Sequence, residues 1–443
     1  MNKDLTEGNP RKVLWMYTIP LLGSVVFQQL YNLADSLVSG KFVGEHALAA
    51  VGNASEITLI YTAFAFGCNI GCSVVVSQLF GSKRWKELKT SVTTAFLAFG
   101  VLCAALMLFG FLCTRSLLLL MNTPEEILND SLLYLKIYTA GMPFVFFYNV
   151  ATGIFSAMGD SKTPLYFLAF SSTSNILVDI LFVKAFSMGV AGVAWATFLC
   201  QGVSCILAVI ALAKRLNSLP YKGKYEFFSG EILIKITKVA IPSILQQSFI
   251  SVGNIIIQSI INNFGASVIA GYTAAIRLNT IAISLFTAAG NGMSTFTAQN
   301  VGAQKYERIR QGYRGGLLLD LVMAVPCMAA FLIFGRFLVG IFMQDPTGSA
   351  MATGIQFLRF VTPFYPIISV KIMTDGILRG SGAVQLFMIS TFADLLLRVL
   401  LAAVLAPPFG IIGVWSSWPV GWTIGTGLSV LMYAKGKWKN ARL

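Results

Sequence analysis

The sequence predicts an all-α integral membrane protein of twelve transmembrane helices arranged as two pseudo-symmetric six-helix lobes, and three observations predict it. Of its 443 residues 56% are hydrophobic and only 11% charged, a balance far from that of soluble globular chains. Apolar segments of roughly 20 to 30 residues, each long enough to cross a hydrocarbon core about 30 Å thick, follow one another along nearly the whole chain. Finally, the second half of the chain repeats the first.

The segments are taken in order. The first, 14–39, follows a short polar start with no small-residue cleavage site, so it reads as a spanning helix rather than a removable signal. Segments 54–80, 91–114, 131–156, 163–186 and 190–212 complete the first lobe. The longest gap, 213–231, reads as a cytoplasmic linker. Segments 232–262, 267–299, 313–343, 351–378, 383–406 and 410–434 form the second lobe. The expected organisation is therefore 1–212 as N-terminal lobe, 213–231 as linker and 232–443 as C-terminal lobe. Pro20, Pro143, Pro164, Pro242, Pro326, Pro363 and Pro366 fall in or near these helices, where each bends or locally unwinds the chain.

A formal net charge of +14 suggests a polyanionic partner until the basic residues are located. Most of the 32 Lys and Arg lie in the N-terminus, in alternate loops and in the C-terminus. By the positive-inside rule this places both termini in the cytoplasm of a cell whose inner (plasma) membrane holds the protein. The charge is a topology signal, and no nucleic-acid partner is expected. The seven Cys all fall in apolar segments and read as packing residues, and with a single His, His46, no metal constellation can be assembled. No cofactor is expected. The chain has no phosphate-binding G-x-x-x-x-G-K-[ST] segment, so uphill transport by it needs an ion gradient.

The repeat is read residue by residue. At a shift of 221, VSQLFGSKRW (76–85) matches TAQNVGAQKY (297–306), with Gln78 on Gln299, Gly81 on Gly302 and Trp85 on Tyr306. A shift of 222 aligns Ile19-Pro20 with Ile241-Pro242. A shift of 223 aligns YLKIYTAGMP (134–143) with FLRFVTPFYP (357–366), and 221 again aligns GVAGVAW (189–195) with GIIGVWS (410–416). Six helices per half is an even number, so both halves start on the same side and the repeat is parallel. That arrangement suits a carrier whose lobes rock about a central cavity.

An ionisable group at the middle of a span costs about 2.5 to 3.5 kcal/mol on insertion scales, so each needs a reason. Lys371 with Asp375, and Asp394 with Arg398, are four apart and can neutralise each other within their helices. Lys136 and Arg359 lie near helix ends and can snorkel. Asp35 and Asp179 have no such neighbour. Topology brings Asp35 of helix one, Asn175 and Asp179 of helix five, and Thr197 and Gln201 of helix six to similar depth. Carboxylate, amide and hydroxyl oxygens at one depth can take up a proton or hold a small hard cation such as Na+; alternatively they are separately satisfied groups that tie helices together. The C-terminal half lacks the Asn/Asp pair, since Arg398 stands where Asn175 does. Glu56 and Arg277, equivalent at shift 221 and opposite in sign, are candidate polar lining and a hypothetical outer gate. If transport lost in Glu56→Arg is not restored by adding Arg277→Glu, the gate idea fails.

With these residues in view, the chain resembles the multidrug and toxic compound extrusion (MATE) family over essentially its whole length. The resemblance is carried by YNLADSLVSGKFVGEHALAAVG in helix one, SNILVDILF in helix five, GVAGVAWAT in helix six and the paired SQLFGSKRW and AQNVGAQKY loops. It implies drug/cation antiport driven by H+ or Na+ in a carrier that alternates between outward and inward states. Within the family the chain is similar to the DinF-like branch, which implies a coupling-ion site at Asp35, Asn175, Asp179 and Thr197. The other branches place an acidic residue in helix seven; here IPSILQQSFISVGNIIIQ has none. Implied substrates are amphipathic organic cations, and Phe144, Phe147 and Tyr148 of helix four are candidates for an aromatic surface that accepts them. Two fused lobes suffice for one path, so the protein is expected to work as a monomer.

Two other classes compete. A flippase for a lipid-linked saccharide or cell-wall precursor shares this architecture but calls for a strongly cationic cavity for its pyrophosphate. A membrane-embedded enzyme calls for a nucleophile or metal constellation, and none is visible, so the chain is not expected to be an enzyme.

Overall fold

Long apolar runs leave the backbone no polar partner but itself, so the spans can only be helices. The structure, a computed structural model, describes residues 4–38, 45–121, 123–342 and 348–441; the side chains of residues 32–38, 45–49, 55 and 56 are outside that description. The helices are α1 (Pro10–Val38), α2 (Glu45–Gly81), α3 (Trp85–Leu120), α4 (Glu125–Ala157), α5 (Lys162–Ile180), α6 (Gly189–Asn217), α7 (Gly230–Asn262), α8 (Ala266–Gly302), α9 (Tyr306–Gly340), α10 (Ser349–Val361), α11 (Tyr365–Gly380) and α12 (Val384–Ala434). No strand occurs among the described residues.

Two departures from one helix per span have local causes. The tenth span is split into α10 and α11 by a 3-10 turn, Thr362–Phe364, at Pro363 and Pro366, which remove backbone donors from the ladder. The eleventh and twelfth spans run together as the 51 residues of α12, broken at Gly410, whose φ of 61° and ψ of −145° only glycine adopts readily. Counted this way, the spans are the twelve that the sequence predicts.

The repeat is written into the backbone. Left-handed positions occur at Lys83 and Gln304, at Gly159 and Gly382, and at Gly189 and Gly410. These are the pairs related by the sequence shifts of 221, 223 and 221. Each marks the same loop or turn in the two halves.

The chain forms two compact units, and their boundaries differ from the lobes expected from sequence. One unit contains Gly23–Ile244; the other joins Leu5–Leu22 to Leu245–Leu443. The first half of α1 thus packs with the C-terminal helices, and the first half of α7 with the N-terminal ones. The contacts explain why. Leu5 N donates to Gln299 Oε1 at 3.0 Å, Lys305 Nζ to Thr6 O at 2.9 Å, Arg308 to Gly8 O at 2.7 Å and Trp15 Nε1 to Gly315 O at 2.8 Å. In the other unit Lys89 Nζ donates to Tyr221 O at 2.8 Å and Ser229 N to Thr94 Oγ1 at 3.0 Å, which ties the linker to α3. Gly71 lets α7 approach α2 so closely that a Cβ there would sit 2.6 Å from Ala240 Cβ. In each helix the crossing follows a proline, Pro20 two residues before Leu22 and Pro242 two residues before Ile244.

Candidate functional site

Three residues of α5 are buried: Ser172, Asn175 and Asp179. Every one is polar, so the stripe this helix turns inward is hydrophilic while its apolar residues stay at or near the surface of the unit. Asn175 is 3% exposed and Asp179 1%. Burying a carboxylate and an amide instead of leucines is unfavourable unless the surroundings supply partners.

Partners come from α1 and α6. The Asn175 amide nitrogen meets two acceptors, Asp179 Oδ2 at 3.3 Å and Tyr31 Oη at 2.6 Å, while its oxygen faces the backbone N–H of Thr197 at 3.3 Å. Cys200, one turn beyond Thr197 on α6, is also buried. Directly after Asp179, α5 widens into a π turn, Leu181–Ala185, closed by Phe186 N donating to Leu181 O at 3.2 Å. Such bulges re-aim the residues beside them and recur at functional sites.

The structure thus brings Asn175, Asp179 and Thr197 together, with Thr197 half-buried and Gln201 half-buried one turn further along α6. The side chains of Asp35 and Glu56, and the side chain of His46, lie outside the described residues. One member of the cluster, Tyr31, was not expected. Tyr31 carried a signal, since it stands four residues before Asp35 and so on the same helical face.

The other expected residues have local roles. Phe144 packs edge-on to Phe198 of α6 at 5.2 Å, over Gly202, and Phe147 stacks on Phe96 of α3 at 5.5 Å. Tyr148, next after Phe147, is half-buried. Arg277 is exposed on its unit, with its guanidinium 5.9 Å from the Phe342 ring centroid. Lys136 and Arg359 are exposed, as snorkelling requires. All seven cysteines are free thiols, and among the described residues no group of His, Cys, Asp and Glu has metal-binding geometry.

A second polar cluster lies inside the other unit. Lys371 Nζ is 2.7 Å from Asp375 Oδ2, the intrahelical pair expected, and 4.0 Å from Asp394 Oδ2. Asp375 also accepts from Ser390 at 3.2 Å and Ser429 at 2.5 Å. Arg398 departs from expectation: its guanidinium lies 4.3 Å over the Trp418 ring, so Asp394 is shared with Lys371 rather than held by Arg398 alone. Gly421 and Gly425 make room, since a Cβ on either would come within 2.9 Å of Asp394 or Lys371 atoms.

Comparison with known proteins places this geometry in context. The "Probable multidrug resistance protein YpnP" of Bacillus subtilis (strain 168) is 30% identical over 99% of this chain and 98% of its own length. "Probable multidrug resistance protein YoeA" of the same organism is 26% identical over 99% of this chain and 97% of its own. Among solved structures, an outward-facing multidrug resistance MATE family transporter of the MOP superfamily superposes with a TM-score of 0.90 at 24% identity, covering 99% of this chain and 98% of that one. The MatE family model matches twice, over residues 20–181 and 242–404, once in each half of the repeat. A multi-pass helical chain built twice from that unit, and alike to these relatives from end to end, belongs to the MATE family of membrane transporters.

Proposed function

We propose that the protein is a secondary multidrug efflux antiporter of the DinF-like branch, exporting amphipathic organic cations in exchange for H+ or Na+ by alternating access across the plasma membrane, with both termini cytoplasmic. The observation that carries the reading is the polar buried stripe of α5, where Asn175 and Asp179 meet Tyr31 and Thr197. The multidrug resistance relatives support the substrate class. An ion can drive the cycle only through unequal affinity for the two states, and a buried carboxylate is where one charge changes the energy most. Asp35, four residues beyond Tyr31 on α1, is the second carboxylate of this reading. When the ion leaves, the Asn175–Asp179–Tyr31 hydrogen bonds lose a charge they share, and the helices they tie are free to repack.

The test is uptake of a fluorescent organic cation into inverted vesicles or proteoliposomes under an imposed proton or sodium gradient. Uptake that depends on a gradient, and that Asp35→Asn and Asp179→Asn each abolish, is expected. Uptake that survives both substitutions would move the coupling site elsewhere.

A further inference from the structure

Asp320 stands on α9 seven residues into the apolar segment that begins at 313, about 10 Å along the helix and so inside the span. It is 0% exposed, and neither of its carboxylate oxygens has a hydrogen-bond partner among the described residues. The charged groups of the elements packed against α9, namely α8, α10, α11 and the start of α1, are engaged elsewhere. On α11, Lys371 pairs with Asp375 at 2.7 Å and Arg379 donates to Asn291 at 2.6 Å. Arg277 of α8 lies over Phe342, Arg359 of α10 is exposed, and α1 carries Arg11 against Gly315 and Lys12 at the surface. The titratable hydroxyls and thiol do not serve it either. Tyr365 donates to Asn279, Tyr313 bonds Thr374, Tyr272 stacks on Trp415, and neither Tyr17 nor Cys327 is bonded to an Asp320 oxygen.

An ionised carboxylate with no partner inside a span would carry its whole desolvation cost, whereas the neutral acid costs far less. Asp320 is therefore a carboxylic acid in this arrangement, and even its own O–H has no acceptor. Toward the start of α9 the acid is shut off by side chains. Gly316, one turn before Asp320 on the same face, leaves a gap that Met373 and Leu14 fill: a Cβ on Gly316 would sit 2.8 Å from the Met373 sulfur and 3.3 Å from Leu14. On the other side of that apolar plug stand the Tyr313 hydroxyl and Thr374 Oγ1, 2.7 Å apart. A buried polar group left unmatched calls for a reason, and an acid that water reaches in another arrangement supplies one. We propose that Asp320 is a proton-binding site of the unit that contains α8 to α12, separate from the α5 cluster: it holds a proton in the arrangement seen here and releases it to water when Met373 and Leu14 withdraw. Each cycle then moves one proton more than the α5 cluster carries. The site goes beyond the antiporter reading above and rests on that reading for its effect on transport.

The experiment uses the full chain and compares wild type with Asp320→Asn, Asp320→Leu and Asp179→Asn. Asparagine keeps the shape of the neutral acid but has no proton to release; leucine fills similar space without polar atoms. Infrared difference spectra of the purified protein at neutral pH come first. Wild type is expected to show the C=O stretch of a protonated carboxyl that both Asp320 variants lack. Adding the fluorescent organic cation should weaken that band, because an exchanged cation favours the arrangement from which the proton leaves. In weakly buffered solution the same addition is expected to release about one proton more from wild type than from Asp320→Asn. In proteoliposomes under a tenfold proton gradient, each coupled proton supports a further tenfold accumulation of the organic cation, so Asp320→Asn is expected to accumulate about tenfold less than wild type.

A carboxyl band common to wild type and both Asp320 variants overturns the assignment of a proton to Asp320. A band that belongs to Asp320 but ignores the organic cation, with accumulation unchanged in Asp320→Asn, makes the residue a permanently neutral packing group and overturns the proposal as well. If Asp320→Asn does not fold, Asp320→Leu, which strands no polar atom, decides by the same spectra and proton count. Inactive Asp179→Asn together with unchanged Asp320→Asn would sink only the Asp320 site. Fully active Asp179→Asn with reduced accumulation in Asp320→Asn would sink the coupling reading at α5 and leave this site standing.

Discussion

Tyr31 and Lys371 each hold a polar partner that would be costly to strand within a span. Tyr31 keeps the Asn175 amide in one orientation through a contact of 2.6 Å. Tyr31→Phe removes one hydrogen bond and leaves the ring, so a stability loss of about 1 kcal/mol is expected in thermal unfolding. Because the freed amide can turn away from Asp179, ion-driven uptake should also need a steeper gradient; unchanged gradient dependence would make Tyr31 a packing residue. Lys371 matters differently, as the cation shared by Asp375 and Asp394. Lys371→Met leaves two buried carboxylates facing each other, and about 3 to 5 kcal/mol of destabilisation is expected. The double variant Lys371→Met/Asp394→Asn should recover part of that loss, since it removes one of the stranded charges. Failure to recover any would mean that the lysine acts through packing of its stem.

The helices themselves were legible because length and hydropathy alone specify a span, and each proline that breaks or bends one is visible in the sequence. What was not legible depends on tertiary neighbours. The π turn at Leu181–Ala185 has no composition signal, since LFVKA reads as ordinary helix. The passage of α1 and α7 from one compact unit to the other is fixed by partners far along the chain, such as Gly71 for Ala240. At the site, Asn175 and Asp179 were readable as a polar pair in an apolar run, whereas in the second cluster i, i+4 spacing could not reveal that Arg398 lies over the Trp418 ring or that Asp394 also faces Lys371. Pro20 and Pro242 can be tested as elements. Proline removes one helical hydrogen bond and crowds the preceding turn, at a cost of about 3 kcal/mol in a helix interior. Pro242→Ala should therefore slow amide hydrogen exchange over residues 238–246 and lower the transport rate. Faster exchange there would show that the bend is held by packing and not by the proline.

At the scale of the molecule, the duplication and the unit boundaries make different statements about what a half-chain can do. By sequence, cutting in the linker frees two six-helix lobes, 1–212 and 232–443. By packing, neither half-chain carries a complete unit: residues 5–22 leave with the first half but pack with the second, and residues 230–244 do the reverse. A half-chain alone therefore exposes the acceptors and small-residue faces that α1 and α7 cover, including the Gly315 carbonyl and Gly71. A chain divided between Lys222 and Gly223 and co-expressed as two pieces should reassemble, because the contacts that hold the pieces, from Leu5–Gln299 to Lys305–Thr6, do not need the covalent link. The linker residues on either side stay anchored by Lys89 and Thr94. Co-purification of the untagged piece with the tagged one, and organic-cation uptake by the pair, is the expected result; each piece expressed alone should aggregate or be degraded. A piece that folds and remains monodisperse alone would mean that the exchanged half-helices contribute little, and that the lobes are independent domains after all.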